Sequence, residues 1–312
     1  MDPAHKKLLE KQGYRMVGNH SAVKICDWTR KSLRDEGVCY KQKFYGIQSH
    51  RCCQMTPTLH FCDFQCIFCW RVRDNYVPSK IDDPETIIDK AIKAQGNLLS
   101  GFGGLSKVNK EKLEEAKNPL HFAISLSGET LYYPKLSELI RVLHKRNIST
   151  FVVSNGSQPD VMKSLEKPTQ FYMSLDSPNQ EIFLEVNRPD NPKAWDNVLR
   201  SLDELKNMRD KTRTTIRITL VKSQNDEYPE KYAALIERAQ PLFVEVKGYM
   251  FVGASRQKLS LANMPRHSEV KAFAEEICKH CSYKIIDEQA RSRVILLMQE
   301  DIPGRIMRFE GK

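Results

Sequence analysis

The sequence predicts an α/β fold built on a parallel sheet, and three observations lead there. Six short β-branched or aromatic runs recur along the chain, amphipathic helical stripes lie between them, and 312 residues suit either about two domains or one barrel. Strands that alternate with helices pair in parallel, because each crossover returns the chain to the same end of the sheet. Ligands of such sheets gather at the carboxyl ends of the strands.

The strand candidates are 55–61, 121–126, 150–154, 170–175, 214–221 and 242–250, mostly bounded by Ser, Asn, Asp, Gly or Pro. A helix starts at Asp83-Pro84, with proline in its first turn and Ile87, Ile88, Ala91 and Ile92 on one stripe. Leu136, Leu139, Ile140 and Leu143 repeat at helical spacing, as do Trp195, Val198, Leu199, Leu202 and Leu205. Val270, Phe273, Ala274 and Ile277 do the same within 267–280. These stripes read as core faces. Gly101, Gly103 and Gly104 mark a loop without the strand–turn–helix setting of a phosphate cradle. Strand-like runs at 284–287 and 294–298 fit a closing hairpin. Residues 1–50 read as a basic leader with no strong period. The expected division is an extension over 1–52, a core over 53–282 and a second extension over 283–312.

A net charge of +10 suits a polyanionic partner such as nucleic acid, or equally a lysine-rich solvated surface. No apolar run approaches membrane-spanning length, and the polar first residues lack the apolar stretch of a signal peptide. The expectation is a cytoplasmic protein with no membrane contact. Seven of the nine cysteines fall within 26–69. In a reducing compartment such a cluster reads as metal or cluster ligands rather than disulfides.

Cys62-x3-Cys66-x2-Cys69 is the most informative motif. It supplies three thiolates where a closed zinc site takes four ligands. A cube of four irons held by three cysteines keeps one iron open for a small chelating ligand. Phe61, Phe64, Ile67, Phe68 and Trp70 would shield such a cluster from water. A zinc knuckle or a set of buried thiols is the plainer alternative. The spacing resembles the signature of the radical S-adenosylmethionine (SAM) superfamily. That resemblance implies a partial (β/α)6 TIM-like barrel, with a [4Fe-4S] cluster on Cys62, Cys66 and Cys69 and SAM chelating its open iron.

The strand ends offer further groups. Ser127-Gly128-Glu129 follows the second strand and is similar to the superfamily's Gly-Gly-Glu segment, which holds the methionine amino group; Ser127 replaces the first glycine. The plain reading is a turn followed by a solvated Glu. Ser154 and Asn155 follow the third strand, where Asn-Gly also favours an ordinary turn. Asp176 follows the fourth strand and could accept from a hydroxyl or a base, or cap the next helix. Arg217 and Thr219 share one face of the fifth, where an arginine reads as a carboxylate or phosphate clamp or as an edge residue facing water.

A second triad, Cys26-x12-Cys39-x12-Cys52, precedes the first. Alone, evenly spaced cysteines default to buried thiols. Beside the first motif they could hold a second cluster with one iron free. Cys53 reads as structural, and Cys278-x2-Cys281 as packing or an occasional disulfide. The triad, with Trp28-Thr-Arg30, the run 39–47, Arg51-Cys52-Cys53-Gln54 and the radical motif, resembles the tRNA 4-demethylwyosine synthase family over essentially the whole chain.

The resemblance is to the short archaeal form of a radical SAM carbon–carbon lyase of wybutosine biosynthesis. It implies two [4Fe-4S] clusters and SAM as cofactors. Its substrates would be pyruvate and the N1-methylguanosine beside the anticodon of tRNA-Phe, joined into a tricyclic base as the carboxyl carbon of pyruvate leaves. The second cluster, on Cys26, Cys39 and Cys52, would bind pyruvate. Lys41 would form an imine with it, with Lys43 as the rival lysine. Electrons would come from an external flavodoxin- or ferredoxin-like donor, and a monomer is the expected state. Phosphate contacts would fall to Lys43, Arg71, Arg73, Lys80, Arg256 and Arg266. Two other readings stay open: a radical SAM enzyme with an auxiliary cluster acting on a peptide or small molecule, and a zinc-stabilised RNA-binding protein.

Overall fold

Regular elements fill the first fifty residues, where the sequence shows no strong period. In the computed structural model, α1 (Pro3–Lys11) leads into a hairpin of β1 (Tyr14–Val17) and β2 (Ser21–Lys24), then α2 (Asp27–Leu33) and α3 (Tyr40–Tyr45). The reading of a basic leader without a strong period did not show these elements. Helices of six to nine residues span fewer than about three turns, too few for a period to register. Tertiary contacts hold them instead. Asn19, in the hairpin turn, donates its backbone N–H and its side-chain amide to Asp82 at 2.6 and 2.7 Å. Ile25 and Leu33 pack into a buried cluster with Leu99, Val108, Leu113 and Ala116.

The structure describes residues 3–72, 76 and 78–309. They fall into two units, one of Met1–Cys62, Arg73–Val152 and Gly304–Lys312, the other of Asp63–Val72 and Val153–Pro303. In the first unit the hairpin pairs antiparallel with β3 (Cys52–Thr56). β3, β4 (His121–Ile124) and β5 (Ser149–Ser154) then run parallel, with Cys52 opposite His121 and His121 opposite Ser149. β3 was expected over 55–61. It begins at Cys52 and stops at Thr56 because Pro57, which has no N–H to donate, follows. Three helices complete the unit: α4 (Pro84–Ser100), α5 (Lys110–Ala116) and α6 (Leu136–Lys145). Proline opens α4, which buries Ile87, Ile88 and Ala91; α6 buries Leu136, Leu139, Ile140 and Leu143. Each such side chain, fully buried, contributes about 1.5–3 kcal/mol.

The second unit holds α7 (Pro159–Ser164), β6 (Gln170–Ser174), α8 (Gln180–Val186), α9 (Ala194–Met208), β7 (Arg213–Leu220) and α10 (Pro229–Ala239). It continues through β8 (Phe243–Gly248), α11 (His267–Cys278), β9 (Lys284–Gln289) and β10 (Val294–Met298). β6, β7 and β8 are parallel. β10 closes antiparallel on β8, and β9 on β10, so the expected hairpin is present. β7 shows why such a strand can serve a site. Ile216, Ile218 and Leu220 are buried on one side, while Arg213, Arg217 and Thr219 alternate on the other and are only part-buried.

Candidate active site

The second triad lies wholly in the first unit. Cys26 and Cys39 each precede a helix in the same extended conformation, at φ −64°, ψ 146° before α2 and φ −61°, ψ 145° before α3. Cys52 opens β3. A lattice of hydrogen bonds ties these points together. The Cys39 N–H donates to Ser49 Oγ at 2.9 Å, the Thr29 hydroxyl to Ser49 O at 3.0 Å, and Ser49 Oγ to Gln42 Oε1 at 2.8 Å.

Cys52 senses the other two thiols. Burial pushes Cys52 up to about 12, and the Cys26 and Cys39 sulfurs push the same way; Lys41 and the Ala123 N–H oppose them. Burial also raises Cys26, against the N–H groups of Trp28 and Thr29 and the charge of Lys41. A metal cluster bound there would supply the positive charge that three neighbouring thiolates need. Among the described residues no group of three or more His, Cys, Asp or Glu is arranged to hold a single metal ion. Cys53, next along β3, is fully buried.

Lys41 and Lys43 part company on α3. Lys41 is half-buried, its ammonium 5.2 Å from the centre of the Phe151 ring in β5, whereas Lys43 is exposed. Residues two apart on a helix point about 200° apart, so only one can face the sheet.

The other end of the same parallel strands carries different chemistry. From Cys52 to Thr56 the chain advances about 13 Å, and the loop after Thr56 leads to Cys62. Gly128 in the turn after β4 has φ +70°, and a Cβ there would lie 1.8 Å from Thr58 O and 2.5 Å from Phe61 O. The Glu129 N–H donates to Phe61 O at 2.8 Å, and Ser127 Oγ to Leu59 O at 3.3 Å. Glu129 is buried rather than solvated, and its Oε1 accepts from the Leu131 N–H at 3.0 Å. The turn therefore interlocks with the loop that delivers Cys62.

Cys66 and Cys69 lie in the second unit, where the Cys69 N–H closes a turn onto Cys66 O at 3.2 Å. Asn155 donates to Asp63 Oδ1 at 2.8 Å, and Ser154 Oγ accepts from the Gly156 N–H at 3.0 Å. Two contacts escaped sequence reasoning. The Asn187 amide reaches Cys66 Sγ at 3.6 Å, and the Lys258 ammonium donates to Gln65 O at 3.1 Å. A lone Asn and a lone Lys carry no local signal of such roles. Burial lifts Asp176 to about 6, against the Thr219 N–H, which donates to its Oδ1 at 2.6 Å, and the charge of Arg217. Arg217 reaches Ser174 Oγ at 3.4 Å. Its register partner on β8 is Glu245, a fully buried carboxylate that the sequence reading also missed.

The basic candidates are scattered. In the first unit Lys43 and Lys80 are exposed; in the second, so are Arg256, 5.2 Å over the Phe251 ring, and Arg266, which precedes α11. Arg71 lies 4.4 Å over the Trp70 ring, and Arg73 is outside the described residues. No described helix is long and apolar enough to cross a membrane.

Comparison with known proteins decides the family. The chain is 48% identical over 315 residues to the S-adenosyl-L-methionine-dependent tRNA 4-demethylwyosine synthase of Pyrococcus horikoshii, covering 98% of this chain and 92% of that protein. This chain belongs to the tRNA 4-demethylwyosine synthase family. The radical SAM superfamily matches residues 106–236, and the wyosine base formation family 238–299. A solved structure of TYW1 with a lysine–pyruvate adduct superposes with a TM-score of 0.90 at 39% identity, covering 98% of this chain and 99% of that one. A crystal structure of archaeal TYW1 gives 0.80 at 37% identity, covering 96% of each. The fold is therefore the radical SAM α/β fold that the cysteine motif implied.

Membership brings SAM and a [4Fe-4S] cluster as cofactors. The residues present fit them. Cys62, Cys66 and Cys69 carry no disulfide and are all part-exposed, as open thiolate ligands must be. The turn at Gly128 has no room for a Cβ because it packs directly on the Thr58 and Phe61 carbonyls of the loop that delivers Cys62.

Proposed function

We infer that this chain builds 4-demethylwyosine from pyruvate and the N1-methylguanosine beside the anticodon of tRNA-Phe, as a radical SAM enzyme of wybutosine biosynthesis. One observation carries the reading: within the first unit Cys52 opens β3 and the loop after its other end leads to Cys62, while the Lys41 ammonium lies 5.2 Å over the Phe151 ring of β5.

With SAM bound, the cluster supplies a carbon radical that can take hydrogen from the N1-methyl group. Cys62, Cys66 and Cys69 would hold that cluster, and Ser127, Gly128 and Glu129 would hold the methionine amino group. Ser154, Asn155, Asp176, Arg217 and Thr219 would contact the rest of SAM. Cys26, Cys39 and Cys52 would hold a second [4Fe-4S] cluster, which would bind pyruvate. Lys41 would form an imine with the keto carbon, which fixes the substrate and draws electron density from it. The lysine–pyruvate adduct of the solved TYW1 structure supports a lysine in this role. Exposed Lys43 then joins Lys80, Arg71, Arg73, Arg256 and Arg266 as phosphate contacts. Electrons arrive from a separate flavodoxin- or ferredoxin-like donor, and the enzyme works as a cytoplasmic monomer.

The test is direct. Reduced enzyme, SAM, pyruvate and tRNA-Phe carrying N1-methylguanosine should yield a tricyclic base by mass spectrometry. SAM cleavage with no new base would favour a peptide or small-molecule substrate instead.

A further inference from the structure

We propose that the segment 304–309 is a strap that positions α3, and through it Lys41 and Cys39; this rests on the roles of those two residues inferred above. The segment returns to the first unit and packs against the end of α3. A six-residue helix is unstable alone, and the carbonyls of its last turn have no partners within the helix. The strap supplies them. Arg305 donates through its guanidinium to Phe44 O at 3.1 Å, and the Met307 N–H donates to Tyr45 O at 2.9 Å. At Gly46, which ends α3 with φ +80°, a Cβ would stand 2.2 Å from Met307 O. The two chains are thus in backbone contact.

The strap also reaches the residue beside Cys52. Phe309 meets the His121 ring edge-on, with centroids 4.5 Å apart. His121 is the register partner of Cys52. Its Nε2 accepts from the Gln48 N–H at 2.9 Å, and its Nδ1 lies 2.7 Å from Ser149 Oγ. One short segment therefore abuts both the helix that Cys39 precedes and the strand that pairs with the one beginning at Cys52. Loosening it would let the Lys41 ammonium drift from its place over Phe151, and a shift of about 1 Å can cost about a hundredfold in a reaction that depends on positioning.

Two substitutions remove the donors separately: Arg305→Ala the guanidinium, and Met307→Pro the N–H. Arg305→Lys restores one charged donor. In the cluster-loaded full chain, hydrogen exchange is followed in a peptide spanning 40–46. Pyruvate is trapped on Lys41 with cyanoborohydride and located by peptide mass. SAM cleavage, iron content and Tm are measured alongside. Each donor-removing variant should speed exchange about tenfold and lower trapping severalfold, while iron content and SAM cleavage stay at wild-type levels. Arg305→Lys should recover most of the trapping. Unchanged exchange, or unchanged trapping in both variants, overturns the proposal. If wild-type enzyme traps no pyruvate, the Lys41 reading fails instead. The strap then stands on faster exchange in 40–46 with SAM cleavage unchanged, and falls without it.

Discussion

Replacing Gly128 with alanine probes the join between the turn after β4 and the loop that delivers Cys62. The new Cβ would sit 1.8 Å from Thr58 O, about 1.7 Å short of ordinary contact distance. Both partners are backbone, so no flexible side chain can give way. At φ +70° the substitution also costs about 1–2 kcal/mol in the left-handed region. Overpacking adds about 1–3 kcal/mol. The strain relaxes most readily by moving 58–61, and Cys62 moves with it. A displacement near 1 Å should lower SAM cleavage about a hundredfold. The assay is 5′-deoxyadenosine released under a chemical reductant, beside Tm and iron content. Gly96→Ala is the control. A Cβ at Gly96, inside α4, would meet nothing within 4 Å beyond its own stretch of helix, so it should stabilise by about 0.5–1 kcal/mol and leave cleavage unchanged. Cleavage by Gly128→Ala within about twofold of wild type would refute this account of the turn.

Other outcomes follow from the same geometry. Lys41→Ala should abolish the tricyclic base while SAM cleavage persists, and Lys43→Ala should only weaken tRNA binding; base formation by both variants alike would contradict the separation on α3. The raised value of Asp176 fixes the sign of a pH effect. Below its ordinary value near 4 the acid is neutral folded or unfolded, and above about 6 it is charged in both. The burial penalty therefore grows as pH rises through that window, reaching about 3 kcal/mol. Asp176→Asn should be more stable than wild type at pH 7 and little different at pH 4 in denaturant unfolding; a constant difference would refute the assignment. Binding of tRNA should weaken steeply from about 50 to 200 mM salt by filter binding, and a flat response would remove the exposed lysines and arginines from the interface.

Much of this was legible locally. β4 to β8 lie within a few residues of their expected positions, because each run is bounded by turn residues. β3 was misplaced because Met55–Phe61 looks strand-like by composition, while Pro57 ends pairing within it. The leader was illegible since its helices are too short and its hairpin is held by Asp82, more than sixty residues away. The cysteines announced themselves by spacing. Which of Lys41 and Lys43 faces the sheet required the helix, and the contact of Arg305 with Phe44 required the fold, since no local pattern encodes a partner 261 residues distant. Glu245 was hidden for a similar reason, because only strand register sets it against Arg217.

The most direct measurement is an iron and sulfide count on anaerobically purified protein, wild type against the combined Cys26→Ala, Cys39→Ala and Cys52→Ala variant, with SAM cleavage and base formation scored on both. Wild type should approach about eight irons per chain, and the variant about four, keeping cleavage and losing the tricyclic base. Equal iron in the two proteins, or base formed by the variant, would contradict a second cluster on that triad.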